Sequence, residues 1–220
     1  MGKERTEREK NQILNEVDKL LSPAYQIGPC VAGHDIWHIQ RMIAIAKKIS
    51  DPKEVDQFLL QIAIYFHNID RTRYFNFKCR EERNEFIRNA LLKIGLEEDE
   101  IKIIIEAVEK HNKLNEESDT PLLRDLKDID RLDVGAIGIL RIGALRGRDL
   151  PIAVPGDFFK VKRSTKETDL ESLTHDLQRC LEWEKMLRNP RAKKLGKRRF
   201  SFMRKFQKEV ERELKEIGLI

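Results

Sequence analysis

Asp128-Ile129-Asp130-Arg131-Leu132-Asp133-Val134-Gly135-Ala136-Ile137-Gly138-Ile139-Leu140-Arg141 places acidic side chains inside an apolar run with helical spacing. Asp130 and Asp133 stand three residues apart among Ile129, Leu132 and Val134. A carboxylate in such surroundings requires a partner, because an unpaired buried charge is very costly. A divalent cation or an arginine serves, and Asp130-Arg131 can equally be read as a surface ion pair.

Three further stretches carry groups that could complete a site. Ala63-Ile64-Tyr65-Phe66-His67-Asn68-Ile69-Asp70 ends an apolar helix, Phe58 to Phe66, with a histidine at the rim of the core. Upstream, His34-Asp35-Ile36-Trp37-His38 spaces two imidazoles at i and i+4, on one face of a helix expected from about residue 33 to Ile49, with Arg41 on the same side. Downstream, Glu109-Lys110-His111-Asn112 closes another helix. Histidines and carboxylates from three helices form a mixed N/O donor set suited to Mn, Fe, Zn or Co. Each of these histidines also has a plain structural reading as a hydrogen-bonded residue at a helix end.

Helical periodicity dominates the rest, with no alternating strand-like run and no repeat. Ile13, Leu14, Val17, Leu20 and Leu21 form one stripe, expected to stop at Ser22-Pro23. Asp51-Pro52 is expected to open the helix bearing Val55, Phe58, Leu59 and Ile62. Helices follow at about 80–94, closed by Gly95, and at about 97–111, then from Leu122 to Leu132 and from Val134 to Arg146. Residues 147–168, with Pro151, Pro155 and Gly156, are expected to form a mobile loop or a plain linker. Two helices, about 169–187 and 191–216, end the chain around Asn189-Pro190. The expectation is all-α, one domain over 1–220, with a metal-site core at 20–146, the loop at 147–168 and C-terminal helices at 169–216.

Taken together, the order of these stretches resembles the HD-domain phosphohydrolase superfamily, in its small stand-alone bacterial and archaeal branch. The first motif of that branch, HDxxHxxRV, is matched by His34-Asp35-Ile36-Trp37-His38-Ile39-Gln40-Arg41-Met42, and the second, apolar-apolar-His-Asp, by Tyr65-Phe66-His67-Asn68. The third, DxDRLDxxGAIGIxR, is matched by residues 128–141, and the resemblance runs from about residue 20 to about 215. It implies that His38, His67 and Asp130 are metal ligands and that position 68 supplies a fourth. Here Asn68 replaces the family's Asp, keeping an amide oxygen but losing the negative charge and a proton acceptor. The site then holds its ion through three ligands plus Asn68 or water, or has lost metal and turnover, or carries an introduced change.

The resemblance further implies a divalent ion (Mn, Co, Mg, Fe or Zn) and hydrolysis of a phosphate ester or phosphoanhydride, with a nucleotide as the preferred substrate class. Asp70 could hold a water or a phosphate-bound cation. His34 and His111 could reach the outer shell of the metal or the substrate. Arg41, Arg71 and Arg73 are candidate phosphate ligands, since the guanidinium fork matches phosphate oxygens. Trp37 and Tyr74 could stack on a base, although Trp37 reads better as core.

Bulk properties narrow the alternatives. The charge of +5 is uneven: 188–205 holds nine Lys/Arg and no Asp/Glu, so the remainder sums to −4. That segment, with Phe200, Phe202 and Phe206, is a candidate nucleic-acid surface; the plainer reading puts the Phe rings in the core. No apolar run has the length of a membrane span and no hydrophobic leader is evident, so a cytoplasmic protein without membrane contact is expected. Cys30, Cys79 and Cys180 are far apart and odd in number, which fits reduced thiols. A zinc protease built on His34-Asp35-Ile36-Trp37-His38 lacks a third ligand at the right spacing and leaves 128–141 unexplained. The other alternative is a catalytically impaired protein that binds a nucleotide or nucleic acid.

Overall fold

The computed structural model describes residues 5–26, 33–147, 149–153 and 171–220. Among them are nine α-helices and no strand, and no helix long and apolar enough to cross a membrane. Backbone contacts divide the chain into two compact units, Met1–Asp130 and Arg131–Ile220.

In the first unit, α3 (Gln57–Phe66) is the centre. Phe58, Leu59, Leu60, Ile62, Ala63, Ile64 and Phe66 are all buried, so the helix is apolar except along the half-buried strip of Gln57, Gln61 and Tyr65. It packs on α1 (Glu7–Gln26), α2 (Ile36–Ile49) and α5 (Glu98–Lys110). Each large side chain removed from water there contributes about 1.5–3 kcal/mol. The start of α3 differs from the expectation. Asp56, not Asp51, is its N-cap, and the Asp56 carboxylate accepts from the amides of Phe58 and Leu59. Asp51 instead closes a separate turn, accepting from the Lys53 amide.

Helix α1 runs through Pro23 rather than stopping before it. Tertiary contacts hold the last turn: Ala24 and Tyr25 are buried, and the Tyr25 hydroxyl donates to the Tyr65 carbonyl at 2.7 Å. Tyr65 returns the contact by donating to Asp18 Oδ1 at 2.9 Å, and burial pushes its phenol pKa up. These paired tyrosines tie α1 to the final turn of α3, immediately before His67.

Helix α4 (Arg80–Ile94) ends at Gly95, where φ is +99°. Only glycine adopts that conformation without strain. Helix α6 (Pro121–Arg131) starts with proline in its first turn, and the Thr120 hydroxyl accepts from the Leu123 amide. Lys127, on α6, is 1% exposed. Its ammonium donates to both oxygens of Asp119, at 2.9 and 2.8 Å, and to the Leu114 carbonyl at 2.8 Å, stitching the 111–120 connection to the helix that carries Asp130. Asp133 lies beyond the end of α6, not inside one helix with Asp130.

In the second unit, α7 (Ala136–Arg146), α8 (Leu173–Met186) and α9 (Pro190–Glu216) pack on one another. Buried Asp176 is paired with Arg146 at 3.2 Å and Arg179 at 2.7 Å, and Asp133 with Arg141 at 3.5 Å. Asn189 caps α9 with Pro190 in its first turn. Gly196 allows close packing there, because a Cβ would meet Leu187 Cδ1 at 2.9 Å and Leu132 Cδ2 at 3.1 Å. Most of the segment expected to be a mobile loop, residue 148 and residues 154–168, lies outside the described residues, as does Cys30; Cys79 and Cys180 are free thiols.

Candidate metal centre

The ends of four helices bring the sequence motifs together within the first unit. Asp35 is the N-cap of α2, and its carboxylate accepts from the His38 amide at 3.0 Å. His34 therefore precedes the helix instead of sharing its face with His38, because the capping aspartate between them starts the helix only at Ile36. Its ring nevertheless lies 5.5 Å from that of His38, edge to face. His67 is the C-cap of α3 and His111 that of α5. Both rings are fixed in the same way: His67 Nδ1 donates to the Ile64 carbonyl at 2.6 Å, and His111 Nδ1 to the Val108 carbonyl at 2.7 Å. Asp130 comes from the last turn of α6.

His38 Nε2 lies 3.2 Å from His67 Nε2 and 3.5 Å from Asp130 Oδ1, and one donor atom of each residue falls within 4.8 Å of the others. Two ligands about 2.0–2.2 Å from a common ion stand ~3.0–3.6 Å apart, so these separations fit a shared cation. His38 and His67 are fully buried, so the sequence expectation of a histidine at the rim is corrected: the apolar environment closes over His67. Ring contacts of 5.2 Å (His38–His67) and 5.3 Å (His67–His111) extend the cluster to four imidazoles.

Burial, reinforced by His38, holds His67 well below the ordinary imidazole pKa, against the opposing pull of Asp130. Burial likewise lowers His111, against Asp130 and Asp70; Arg71 adds to the lowering. Both rings are therefore neutral at pH 7, and a neutral ring that donates from Nδ1 to a carbonyl leaves Nε2 as a bare lone pair. This is the form a metal requires, with the second-atom hydrogen bond that orients such ligands. The same tautomer fixes Asn68. A bare His67 Nε2 can only accept, so Asn68 turns its NH2 inward, with Nδ2 2.6 Å from His67 Nε2 and 3.0 Å from His34 Nδ1. Two imidazole nitrogens and one carboxylate thus fit a divalent ion with less negative charge than a His-His-Asp-Asp set would offer, and the inward Asn68 NH2 is not a metal donor.

A pH dependence follows for the metal-free protein. The unfolded chain takes up protons near the ordinary value of 6.5 that folded His67 and His111 refuse. Stability from this source is complete above about pH 6.5 and is lost as the pH falls. The urea midpoint should decline between about pH 7 and about pH 5, and His111→Leu should flatten that decline. An unchanged slope in the variant would contradict the assignment.

The remaining candidates are less closely gathered. Asp70 lies in a 3-10 turn, Ile69–Arg71, and is exposed, with its carboxylate 3.7 Å from Arg83 Nη1. Arg41 and Arg71 are half-buried, and Arg73 is exposed. Asp70 is not among the carboxylates whose oxygens converge with His38. Trp37 is 65% exposed, which overturns its reading as core. It follows the capping Asp35 in the first turn of α2 and faces solvent, while His38 and Ile39 take the buried side. Arg83, the partner of Asp70, was not picked out from sequence; it lies on another helix, and no local spacing announces the pair.

Residues 36–135 match the family model described as "HD domain". No curated protein matches the chain. Among solved structures, a Lactobacillus plantarum protein is similar with a TM-score of 0.73 at 18% identity, covering 96% of this chain and 99% of its own. Bacillus subtilis YpgQ, in a complex with ADP, is similar at 0.66 and 19%, covering 96% and 100%. A Bacillus thuringiensis HD-superfamily hydrolase follows at 0.68 and 19%, covering 94% and 98%.

Proposed function

We propose that this chain, whose residues 36–135 match the HD-domain family model, is a divalent-metal-dependent phosphohydrolase acting on a nucleotide. The observation carrying this reading is the convergence of His38, His67 and Asp130, two buried imidazoles and one carboxylate. A divalent ion held there supplies Lewis-acid polarisation of a phosphoryl oxygen and acidifies a water. The protein's part is to hold and orient. His67 keeps its Nε2 lone pair available through the Nδ1 bond to Ile64, and burial excludes competing solvent. His111 adds a second neutral imidazole beside His67, able to accept a proton at Nε2. Arg71, within electrostatic reach of His111, is a phosphate-binding candidate, with Arg41 and Arg73 as the others. The substrate class is supported by the ADP bound to the structurally similar Bacillus subtilis protein.

A second reading is nucleotide binding without turnover. Asn68 favours it, because its amide covers the His67 lone pair that a metal would use and contributes no charge. One experiment separates the two: phosphate and pyrophosphate release from a nucleotide panel with Mn, Co or Mg, for the natural protein and Asn68→Asp side by side. We expect turnover by both, with the metal bound at least about tenfold more tightly in Asn68→Asp. Turnover only in the variant would establish the binding-only reading for the natural chain, and turnover in neither would remove the hydrolase.

A further inference from the structure

Helix α9 carries a surface formed entirely within the second unit. Its buried edge, Ala192, Gly196, Phe200 and Met203, fixes the rotation of the helix. The rest of the circumference is then basic: Lys194, Arg198 and Lys205 lie opposite that edge and Lys193 and Lys197 on its flank, and all five are exposed with no acidic partner among the described residues. Neighbouring cations on the same helix are already engaged, Arg204 with Glu184 and Arg199 with the Leu132 carbonyl. Acidic residues are absent from 188–205 and return only at Glu209. Among the free cations stand two aromatic rings, Phe202 at 46% and Phe206 at 38% exposure. They are one turn apart, ~6 Å along the axis. The sequence reading that placed these rings in the core holds for Phe200 alone, because the phase set by Gly196 and Met203 turns the other two outward.

An unneutralised row of cations stores mutual repulsion, and a half-exposed phenyl ring leaves apolar surface in water. A flexible polyanion with planar apolar groups relieves both. We propose that this face of α9 binds single-stranded nucleic acid, with Lys193, Lys194, Lys197, Arg198 and Lys205 on phosphates and Phe202 and Phe206 stacked on bases. A duplex hides its base faces from the two rings. A second copy docked through the same face would set like charges against each other. Two partly covered rings offer too little apolar area for insertion into a bilayer. The proposal stands apart from the hydrolase reading.

The test is fluorescence anisotropy with a labelled oligothymidylate and an RNA of equal length, in rising KCl. Five phosphate contacts on a single strand predict a log–log salt slope of about −3.5. Lys194→Glu with Arg198→Glu should flatten the slope by about 1.4, and Phe202→Ala should weaken binding about tenfold. All three positions are exposed, so far-ultraviolet circular dichroism should remain unchanged. His67→Ala should bind the oligonucleotide as the natural protein does, which separates this surface from the metal centre. Absence of binding at low salt overturns the proposal, as does binding indifferent to Phe202→Ala. Binding to phosphatidylserine vesicles without oligonucleotide binding would reassign the face to a membrane surface. Self-association abolished by the charge reversals, again without oligonucleotide binding, would reassign it to a second copy.

Discussion

Asp130→Ala should lower metal-dependent phosphate release by about 10³-fold or more, since the ion and its ligands supply several kcal/mol of transition-state stabilisation. Asp130 is the carboxylate of the converging set, the one side chain there that brings a negative charge to offset that of a cation. Removing it leaves two imidazole nitrogens, too weak a set for a divalent ion of moderate affinity. Metal content after dialysis, read by elemental analysis, should fall together with activity. Asp130→Asn separates charge from shape and should behave like the alanine variant. A protein that keeps both its metal and its turnover without Asp130 would end the ligand assignment.

The second large effect is on stability. Lys127→Met should cost about 3–5 kcal/mol, because it removes a buried ammonium that donates to both oxygens of the Asp119 carboxylate, itself 2% exposed. A Tm loss of roughly 10 °C corresponds to this for a chain of this size. The double variant Lys127→Met with Asp119→Leu should recover most of the loss, since the expense lies in a buried carboxylate deprived of its ammonium and not in the missing salt bridge. Urea unfolding of the single and double variants measures the difference. Equal destabilisation by both would place the effect in packing instead. Because Lys127 is one turn before Asp130, the single variant should also loosen metal binding.

The helices were legible where burial has a period. Ile101, Ile104, Ala107 and Val108 of α5 show it, and Gly95 marks the end of α4 because only a left-handed residue fits there. Their ends were harder to read. Asp35 and Asp56 cap, whereas Asp51 does not open α3, because the choice depends on which turn the core retains. Pro23 stays within α1 because Tyr25 is anchored across to Tyr65, a contact between residues forty positions apart. In the site, His38, His67 and Asp130 could be named from motif order, and the fold does bring their donor atoms together. The inward turn of the Asn68 amide could not, since it follows from the His67 tautomer, which a carbonyl three residues earlier dictates. The Lys127–Asp119 pair leaves no periodic trace, and the outward aim of Phe202 and Phe206 depends on the packing of Gly196.

The twin latches on His67 and His111 make the imidazole pose a property of the helix terminus. In both, the ring closes onto the carbonyl of a β-branched residue three positions back, Ile64 or Val108. The unit is a portable four-residue cassette, Ile64-Tyr65-Phe66-His67 in one case and Val108-Glu109-Lys110-His111 in the other. Point changes at the two intervening positions leave the aim of the ring intact, provided the helix survives. A single-residue insertion or deletion upstream does not, because it rotates the whole cassette by about 100° around the helix axis. The centre should therefore tolerate substitution far better than any change in chain length within α3 or α5.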